Sequence, residues 1–328
     1  MNLALKRLVP FYLLMQAAWP VLAEENTARI LLEQMAGAMM TSNYRGTFIY
    51  HRAGRIDAMQ IVHALREGDE REKLLSLTGP EREVIRNNQM VTCILGDKQS
   101  VVLNQSQPRK SFPARFPENL DKLESYYDFK LTGTDRVAGL KCQLVAVQPR
   151  DQYRYGRRLC ILRDNNILLR SETTNEKGEA VEQVMFTSID FPRVVDEEEL
   201  RPNYQGKSYH WVREPALSFS ASKQQTDGKH WQFSEVPPGF MLTDHRWHHL
   251  SETEPAVEHW VLSDGLASIS VYIEQAKPQA QTRGYSGITR RGALNAYGTM
   301  VRGHYVTVVG EVPLLTLEQI GQSISYIP

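Results

Sequence analysis

The chain has 328 residues with 38 basic and 38 acidic side chains, 41% of its residues are hydrophobic, and its mean hydropathy is -0.41. An even charge balance argues against a nucleic-acid binder and against a generic membrane-surface binder, both of which need a net basic field. At about 100 to 200 residues per domain, the length suggests two domains, each with its own core.

Residues 1–23 read as a signal peptide. Lys6 and Arg7 precede an apolar run from Leu8 to Leu22, and Val21-Leu22-Ala23 ends it as a cleavage site. Pro10, Gln16 and Pro20 interrupt the run, which falls short of the roughly 18 apolar residues a membrane span needs. No second such stretch follows, and no cysteine sits just after Ala23 to carry a lipid. The expectation is a mature protein that begins near Glu24, works outside the cytoplasm and is not membrane-anchored.

Asn26 to Met40 predicts an amphipathic helix, with Leu31, Leu32, Met35 and Met39 at helical spacing and Asn26 or Thr27 as its cap. Short β-rich segments follow, at intervals of about ten residues. They are punctuated by Ala53-Gly54, Glu67-Gly68-Asp69, Gly79-Pro80, Asn87-Asn88, Gly96-Asp97, Asp164-Asn165-Asn166 and Lys177-Gly178, the rhythm of an antiparallel meander. Tyr44, Gly46, Phe48 and Tyr50 share one face, as do Met59, Ile61, His63 and Leu65. A sheet with one apolar face needs a cover, and the N-terminal helix and the loop Pro108 to Pro117 are the candidates. The concave surface beneath such a cover is the expected ligand site. The residues nominated for lipid binding are Phe48, Tyr50, Met59, Ile61, Leu75, Leu77, Tyr126, Tyr127 and Phe129. Plain core packing is the competing reading of Tyr126-Tyr127-Asp128-Phe129, and alternation alone does not say which sheet face lines the cavity.

Between Arg136 and Arg170 there are eight basic residues and two acidic ones, and Tyr153 and Tyr155 interleave with arginines there. A guanidinium fork suits phosphate, and aromatics with arginines anchor protein interfaces. Arg82, Arg150, Arg154, Tyr155, Arg157 and Arg158 are therefore candidates for partner or phosphate binding, with an exposed hairpin tip as the alternative. Three cysteines, Cys93, Cys142 and Cys160, lie in a compartment that permits disulfides. If Leu140–Val147 and Arg157–Arg163 form a hairpin centred near Asp151, Cys142 and Cys160 face each other and can bond; a one-residue slip separates them.

Pro192, the acidic block Asp196–Glu199, Pro202, Pro215 and a Ser/Lys/Gln stretch predict a linker over residues 193–227, flexible near 220–228. It divides an N-terminal domain, 24–192, from a C-terminal α+β domain, 228–328. In the latter, Glu258–Leu262 and Ala267–Glu274 flank Ser263-Asp264-Gly265-Leu266, with Ala267, Ile269, Val271 and Ile273 on one face. A second hairpin, Ala293–Val301 with His304–Gly310, turns at Arg302-Gly303, and after Pro313 Leu317, Ile320 and Ile324 take helical spacing.

The search for chemistry nominates no catalytic residue. Gly284-Tyr285-Ser286-Gly287-Ile288 has isoleucine where a nucleophile elbow needs its second glycine, and Ser286 reads as a turn residue. His245, His248, His249 and His259 have neither the spacing nor the helical setting of a zinc site, and no phosphate-binding glycine motif follows a strand. A binding protein without metal or cofactor is expected.

The signal sequence and helix are followed in order by Asn43-Tyr44-Arg45-Gly46-Thr47-Phe48, Gly79-Pro80-Glu81-Arg82-Glu83-Val84, Tyr126-Tyr127-Asp128-Phe129 and Pro149-Arg150-Asp151-Gln152-Tyr153-Arg154-Tyr155-Gly156. Pro237-Pro238-Gly239-Phe240, Ser263-Asp264-Gly265-Leu266 and Val306-Thr307-Val308-Val309-Gly310-Glu311-Val312-Pro313 complete the series. This order resembles the RseB/MucB family of periplasmic sigma-E factor regulatory proteins, over nearly the whole mature chain. The resemblance implies a half-open antiparallel β-barrel with helical cover, like the lipoprotein carriers, and a smaller C-terminal α+β domain. It also implies a periplasmic negative regulator that binds the periplasmic domain of a membrane-spanning anti-sigma factor, shields it from site-1 proteolysis and is released by lipopolysaccharide or another lipid. Cys142 and Cys160 are not part of the family pattern, so a bridge there is a local addition. A periplasmic lipid or lipoprotein carrier is the alternative, a secreted hydrolase acting through Ser286 a third reading, and a homo-oligomer is left open.

Overall fold

Four of the hairpins close on the same tight turn: Ala53-Gly54, Glu67-Gly68, Ala138-Gly139 and Arg302-Gly303, each with φ near +50° at its first residue and between 75° and 89° at its glycine. Two successive positive φ angles match the right-handed twist of paired strands, and glycine supplies the second without a Cβ penalty. The computed structural model describes residues 19–87, 90–96, 100–104, 116–117, 119–203, 210–213, 231–248, 256–276 and 286–327.

The first domain opens with α1 (Trp19–Thr41), followed by the meander β1 (Tyr44–Arg52), β2 (Arg55–Arg66), β3 (Asp69–Ser76), β4 (Arg82–Asn87), β5 (Met90–Leu95) and β6 (Ser100–Asn104). A second meander comprises β7 (Tyr127–Val137), β8 (Leu140–Pro149), β9 (Gly156–Leu162), β10 (Leu168–Thr174) and β11 (Ala180–Asp190). Then come α2 (Glu197–Leu200) and β12 (His210–Arg213). Strand β11 pairs with β1, so the two meanders join edge to edge in one 12-stranded sheet of order β12-β6-β5-β4-β3-β2-β1-β11-β10-β9-β8-β7. All pairs are antiparallel except β12 with β6.

Helix α1 covers this sheet. Ala28, Leu32 and Met35 pack with Leu120, Leu123, Tyr127, Phe129, Val145, Val147, Leu159 and Ile161, all at most 1% exposed. Phe116 belongs to the same cluster, so the cover consists of α1 and the segment from Phe116 to Tyr126; residues 108–115 lie outside the described set. The helix begins at Trp19, earlier than its periodicity suggested, which puts Asn26 and Thr27 inside it rather than at its cap.

Of the segment expected to be a linker, residues 193–203 and 210–213 are described, and the first of these stretches packs on the sheet. Val195 and Leu200 pack on Val62 and Ala64, on the sheet face away from α1. Two glutamates of the acidic block are ion-paired: Glu197 bridges Arg66 and Arg71 at 2.6 and 2.9 Å, and Glu199 accepts from Arg45 at 2.8 Å. Lys73 reaches the Arg201 carbonyl and Asn203. Sequence patterning misses this because an acidic surface run and an acidic strap over arginines have the same composition. The part expected to be most flexible lies outside the described residues.

Cys142 and Cys160 form a disulfide, their Cα atoms 5.4 Å apart. The register differs from the expected one: Cys142 lies opposite Leu162 and Cys160 opposite Leu144, so the two are diagonal neighbours. A shift of this parity keeps both side chains on one face, and the right-handed strand twist brings such a diagonal pair within bonding reach. Both residues are fully buried. Replacing both with Ala is expected to cost about 2–4 kcal/mol in urea unfolding, and Cys93→Ser, at a half-buried unpaired thiol, to leave the midpoint nearly unchanged.

The second domain contains β13 (Trp231–Phe233), β14 (Met241–His248), β15 (Val257–Ser263), β16 (Ser268–Gln275), β17 (Gly287–Arg291), β18 (Leu294–Val301), β19 (His304–Gly310), α3 (Leu314–Ser323) and β20 (Ile324–Tyr326). Its main sheet has the order β14-β15-β16-β19-β18-β17, with β13 and β20 forming a separate ribbon. Ile269, Val271, Val306 and Val308 pack beneath Leu317 and Ile320 of α3, all fully buried.

Candidate functional site at the domain seam

The β8–β9 loop, Arg150 to Tyr155, leaves the first domain and docks on the second. Two short turns of the second domain receive it: the Pro-Pro-Gly-Phe turn before β14 and the β15–β16 turn at Asp264. The Arg154 side chain is fully buried. Its Nε donates to Asp151 at 3.1 Å, its Nη1 to Asp264 at 3.2 Å and its Nη2 to the Pro238 carbonyl. The guanidinium also lies 4.7, 5.5 and 5.1 Å from the ring centres of Tyr126, Tyr127 and Phe240. Cation–π attraction adds to the ion pair most where water is excluded.

Asp264 is itself saturated. One oxygen accepts from the backbone of Leu266 and Ala267 at 2.9 and 2.7 Å, closing the hairpin turn, and the other accepts from Tyr127 at 2.8 Å and from Arg154. Burial first, and the Asp264 charge second, push the Tyr127 phenol well above its ordinary range, so it stays a proton donor. Gly239, at φ +84°, lies so close under Tyr126 that a Cβ there would fall 2.6 Å from the ring. Only glycine allows this flat approach.

Three further contacts extend the seam. Thr316 donates to the Tyr153 carbonyl at 2.7 Å. Asn295, 3% exposed, donates to the Tyr155 hydroxyl at 2.9 Å and to the Val312 carbonyl at 2.8 Å. Arg157 reaches Glu311 at 3.8 Å. Tyr-Tyr-Asp-Phe, Pro-Arg-Asp-Gln-Tyr-Arg-Tyr-Gly, Pro-Pro-Gly-Phe, Ser-Asp-Gly-Leu and the stretch ending in Glu-Val-Pro thus converge from distant parts of the chain.

The residues nominated for phosphate or partner binding do not form one patch. Arg82 is exposed at the start of β4, apart from the others. Arg150 and Arg158 are about half exposed and pair with Asp128 at 2.7 Å and Glu172 at 2.8 Å. Arg154, Tyr155 and Arg157 face the second domain instead of forming an exposed hairpin tip. Arg154 in particular has its fork filled by Asp151, Asp264 and the Pro238 carbonyl. Apart from Asp151, three positions from Arg154, the acids that hold these arginines lie 14 positions away (Glu172), 22 (Asp128), 110 (Asp264) and, by residue number, about 150 (Glu311), so the local excess of positive charge gave little sign of them.

The nominated lipid residues divide by face. Phe48, Tyr50, Met59 and Ile61 share one face through the pairs Phe48–Met59 and Gly46–Ile61. Ala38 and Met39 of α1 pack against the cluster of Phe48, Ile61 and Phe186, so this face looks toward the helix. Tyr127 and Phe129 belong to the α1 cluster, with Tyr126 packed at its edge, and the Tyr50 hydroxyl donates to Glu182. Leu75 and Leu77 lie on the opposite face, because Ile61 pairs with Leu74, and Leu77 is 50% exposed. A strand slipped by one residue presents its other side chains. Phe48, Ile61, Tyr127 and Phe129 are at most 1% exposed, so the concave face is filled by the chain's own cover.

Among the described residues, no group of three or more His, Cys, Asp or Glu is placed to hold a metal ion. His245 bonds Glu258 at 2.7 Å, whereas His259 stacks on Tyr272; the pairing of Arg246 with His259 sets them on opposite faces. Ser286 is exposed, and His249 lies outside the described residues. No helix of the described residues is long and apolar enough to cross a membrane. Sequence reading missed Asp264, Asn295, Thr316 and Glu182 as seam residues, although the Ser-Asp-Gly-Leu and Pro-Pro-Gly-Phe motifs flagged two of the turns.

A curved sheet filled by a helix, fastened through a polar seam to a small α+β domain, defines a two-domain binding protein. Residues 27–204 match the MucB/RseB N-terminal domain and residues 225–325 the MucB/RseB C-terminal domain. The chain belongs to the MucB/RseB family of sigma factor regulatory proteins. It is 33% identical over 300 residues to the sigma factor AlgU regulatory protein MucB of Pseudomonas aeruginosa, covering 89% of each chain. It is 26% identical over 304 residues to the sigma-E factor regulatory protein RseB of Haemophilus influenzae, covering 93% of each. A crystal structure of MucB in complex with MucA(peri) superimposes with a TM-score of 0.70 at 30% identity, covering 92% of this chain and 99% of that one.

Proposed function

We propose that this protein is a periplasmic negative regulator of an envelope stress response. It binds the periplasmic domain of a membrane-spanning anti-sigma factor, shields that domain from site-1 proteolysis, and leaves it when lipopolysaccharide or another lipid binds. The observation that carries the reading is the match over both domains to a relative whose complex with MucA(peri) has been solved. The signal peptide read from residues 1–23 supports the compartment.

The mechanism is competition through the seam. A lipid chain enters the concave face only by displacing α1 or the segment after Phe116, because their side chains already fill it. The acidic groups of the lipid then meet basic residues at the rim. Displacing the cover disturbs Tyr126 and Tyr127, which hold Arg154 and Asp264, so lipid binding and interdomain geometry are coupled. Linkage requires that lipid and anti-sigma domain weaken each other by one factor. Titration of the anti-sigma periplasmic domain, with and without lipopolysaccharide fragments, is expected to show weaker binding in their presence, with the same factor when the order is reversed. Equal affinity in both conditions sinks the competitive reading. A carrier that only ferries lipid is the second reading, favoured by the apolar concave face; it predicts lipid uptake unaffected by the anti-sigma domain.

A further inference from the structure

The face of the first domain that meets the second carries a cross-strand row. Register aligns Arg157 with Thr173, Thr173 with Glu182 and Glu182 with Arg52. The second domain closes over both ends of this row. Glu311 comes within 3.8 Å of Arg157, and Gly292, at φ +64° in the β17–β18 turn, sits so close to Arg52 that a Cβ there would fall 2.5 Å from its Cγ.

Glu182, between them, is 9% exposed. Its carboxyl accepts from the Tyr50 hydroxyl. The charged groups around it are engaged elsewhere. From β1, the Arg52 guanidinium lies over the Tyr50 ring, 5.1 Å from its centre. From β9, Arg157 donates to Thr173 at 3.1 Å and faces Glu311. Strand β10 places the uncharged Ser171 and Thr173 on this face, Thr173 opposite Glu182. From the second domain come Glu311, with 38% of its side chain exposed, and the exposed Arg290 and Arg291 beside Gly292. Among the described residues no ion pair reaches Glu182, and the charge that acts on it across the seam is another carboxylate.

We infer that Glu182 makes the docking of the two domains proton-linked: protonated, it is a neutral hydrogen-bonded group under the second domain, and ionised, it is a buried anion facing Glu311 that loosens the seam. Burial, and after it the Glu311 charge, push this carboxyl up to about 7. The folded-state value is raised, so its stabilising contribution is complete below the ordinary carboxylate range and is lost as pH rises through about 7. Above that pH the loosened state, in which Glu182 regains water, binds fewer protons and is favoured.

The test compares urea unfolding of the mature wild-type protein and of Glu182→Gln at pH 4 and pH 8. Glutamine keeps a hydrogen-bonding carbonyl for Tyr50 and cannot ionise. At pH 4, below the ordinary carboxylate range, the two proteins are expected to be about equally stable. At pH 8 Glu182→Gln is expected to exceed the wild type by at least tenfold in its folding equilibrium constant. Glu311→Gln, at a partly exposed site, is expected to recover a fraction of that gain, and small-angle scattering of the wild type to show a larger radius of gyration at pH 8. An equal difference between wild type and Glu182→Gln at both pH values overturns the proposal. So does a Glu311→Gln protein with unchanged pH dependence, which also serves if Glu182→Gln fails to fold.

Discussion

Replacing Arg154 with methionine is expected to destabilise the protein by about 3–5 kcal/mol and to uncouple its domains. Methionine matches the length of the stem and removes only the guanidinium. Asp264 then remains buried with two backbone donors and Tyr127 but no countercharge, and the Pro238 carbonyl loses its donor. The penalty is mainly that of stranding a buried carboxylate, which exceeds the net worth of the pair itself. The lost contacts join the domains while each keeps its own core, so urea unfolding is expected to split from one transition into two. Asp264→Asn added to Arg154→Met is expected to restore part of the loss, because asparagine still accepts the two turn amides and carries no charge. Arg154→Lys is not expected to rescue, since an ammonium on a flexible stem cannot match three acceptors in the plane of a fork. A single unfolding transition in Arg154→Met at wild-type stability contradicts this account of the seam.

Phe129→Ala is the second large effect. Phe129 is fully buried where α1 meets β7, between Leu32 and Met35 of the helix and Val147 across the strand pair. Truncating a buried phenylalanine removes its transfer energy and leaves a cavity, with an expected loss of about 3–5 kcal/mol. The cavity lies under the cover that a lipid chain must displace. Uptake of a hydrophobic reporter dye is therefore expected to rise in Phe129→Ala and to stay at wild-type level in Leu77→Ala, whose side chain is on the other face and half exposed. Equal dye uptake in the two variants places the apolar binding surface elsewhere.

Local pattern carried much of the fold. Ala53-Gly54 and Arg302-Gly303 mark turns because a left-handed pair needs glycine, and the alternation of Ala267, Ile269, Val271 and Ile273 marks a buried face because strand side chains alternate. Leu75 shows where that logic stops. It lies in a run of two leucines, and alternation inside β3 makes either one a core residue. Pairing with Ile61 selects Leu74. The acidic residues Asp196 to Glu199 show a second limit, since their partners Arg45, Arg66 and Arg71 come from strands more than 100 positions earlier.

The sequence alone determined the order of elements, the two cores, the hairpins and the family, because propensity, side-chain period and turn chemistry act over a few residues and survive in any reading of the chain. The tertiary structure decided what the motifs are for. Tyr127, Arg154, Pro238 and Asp264 span more than 100 positions, and nothing in the local pattern of each distinguishes a surface arginine from one buried against a carboxylate of another domain. Burial and ion pairing depend on which surfaces exclude water together, and only the folded arrangement of both domains sets that.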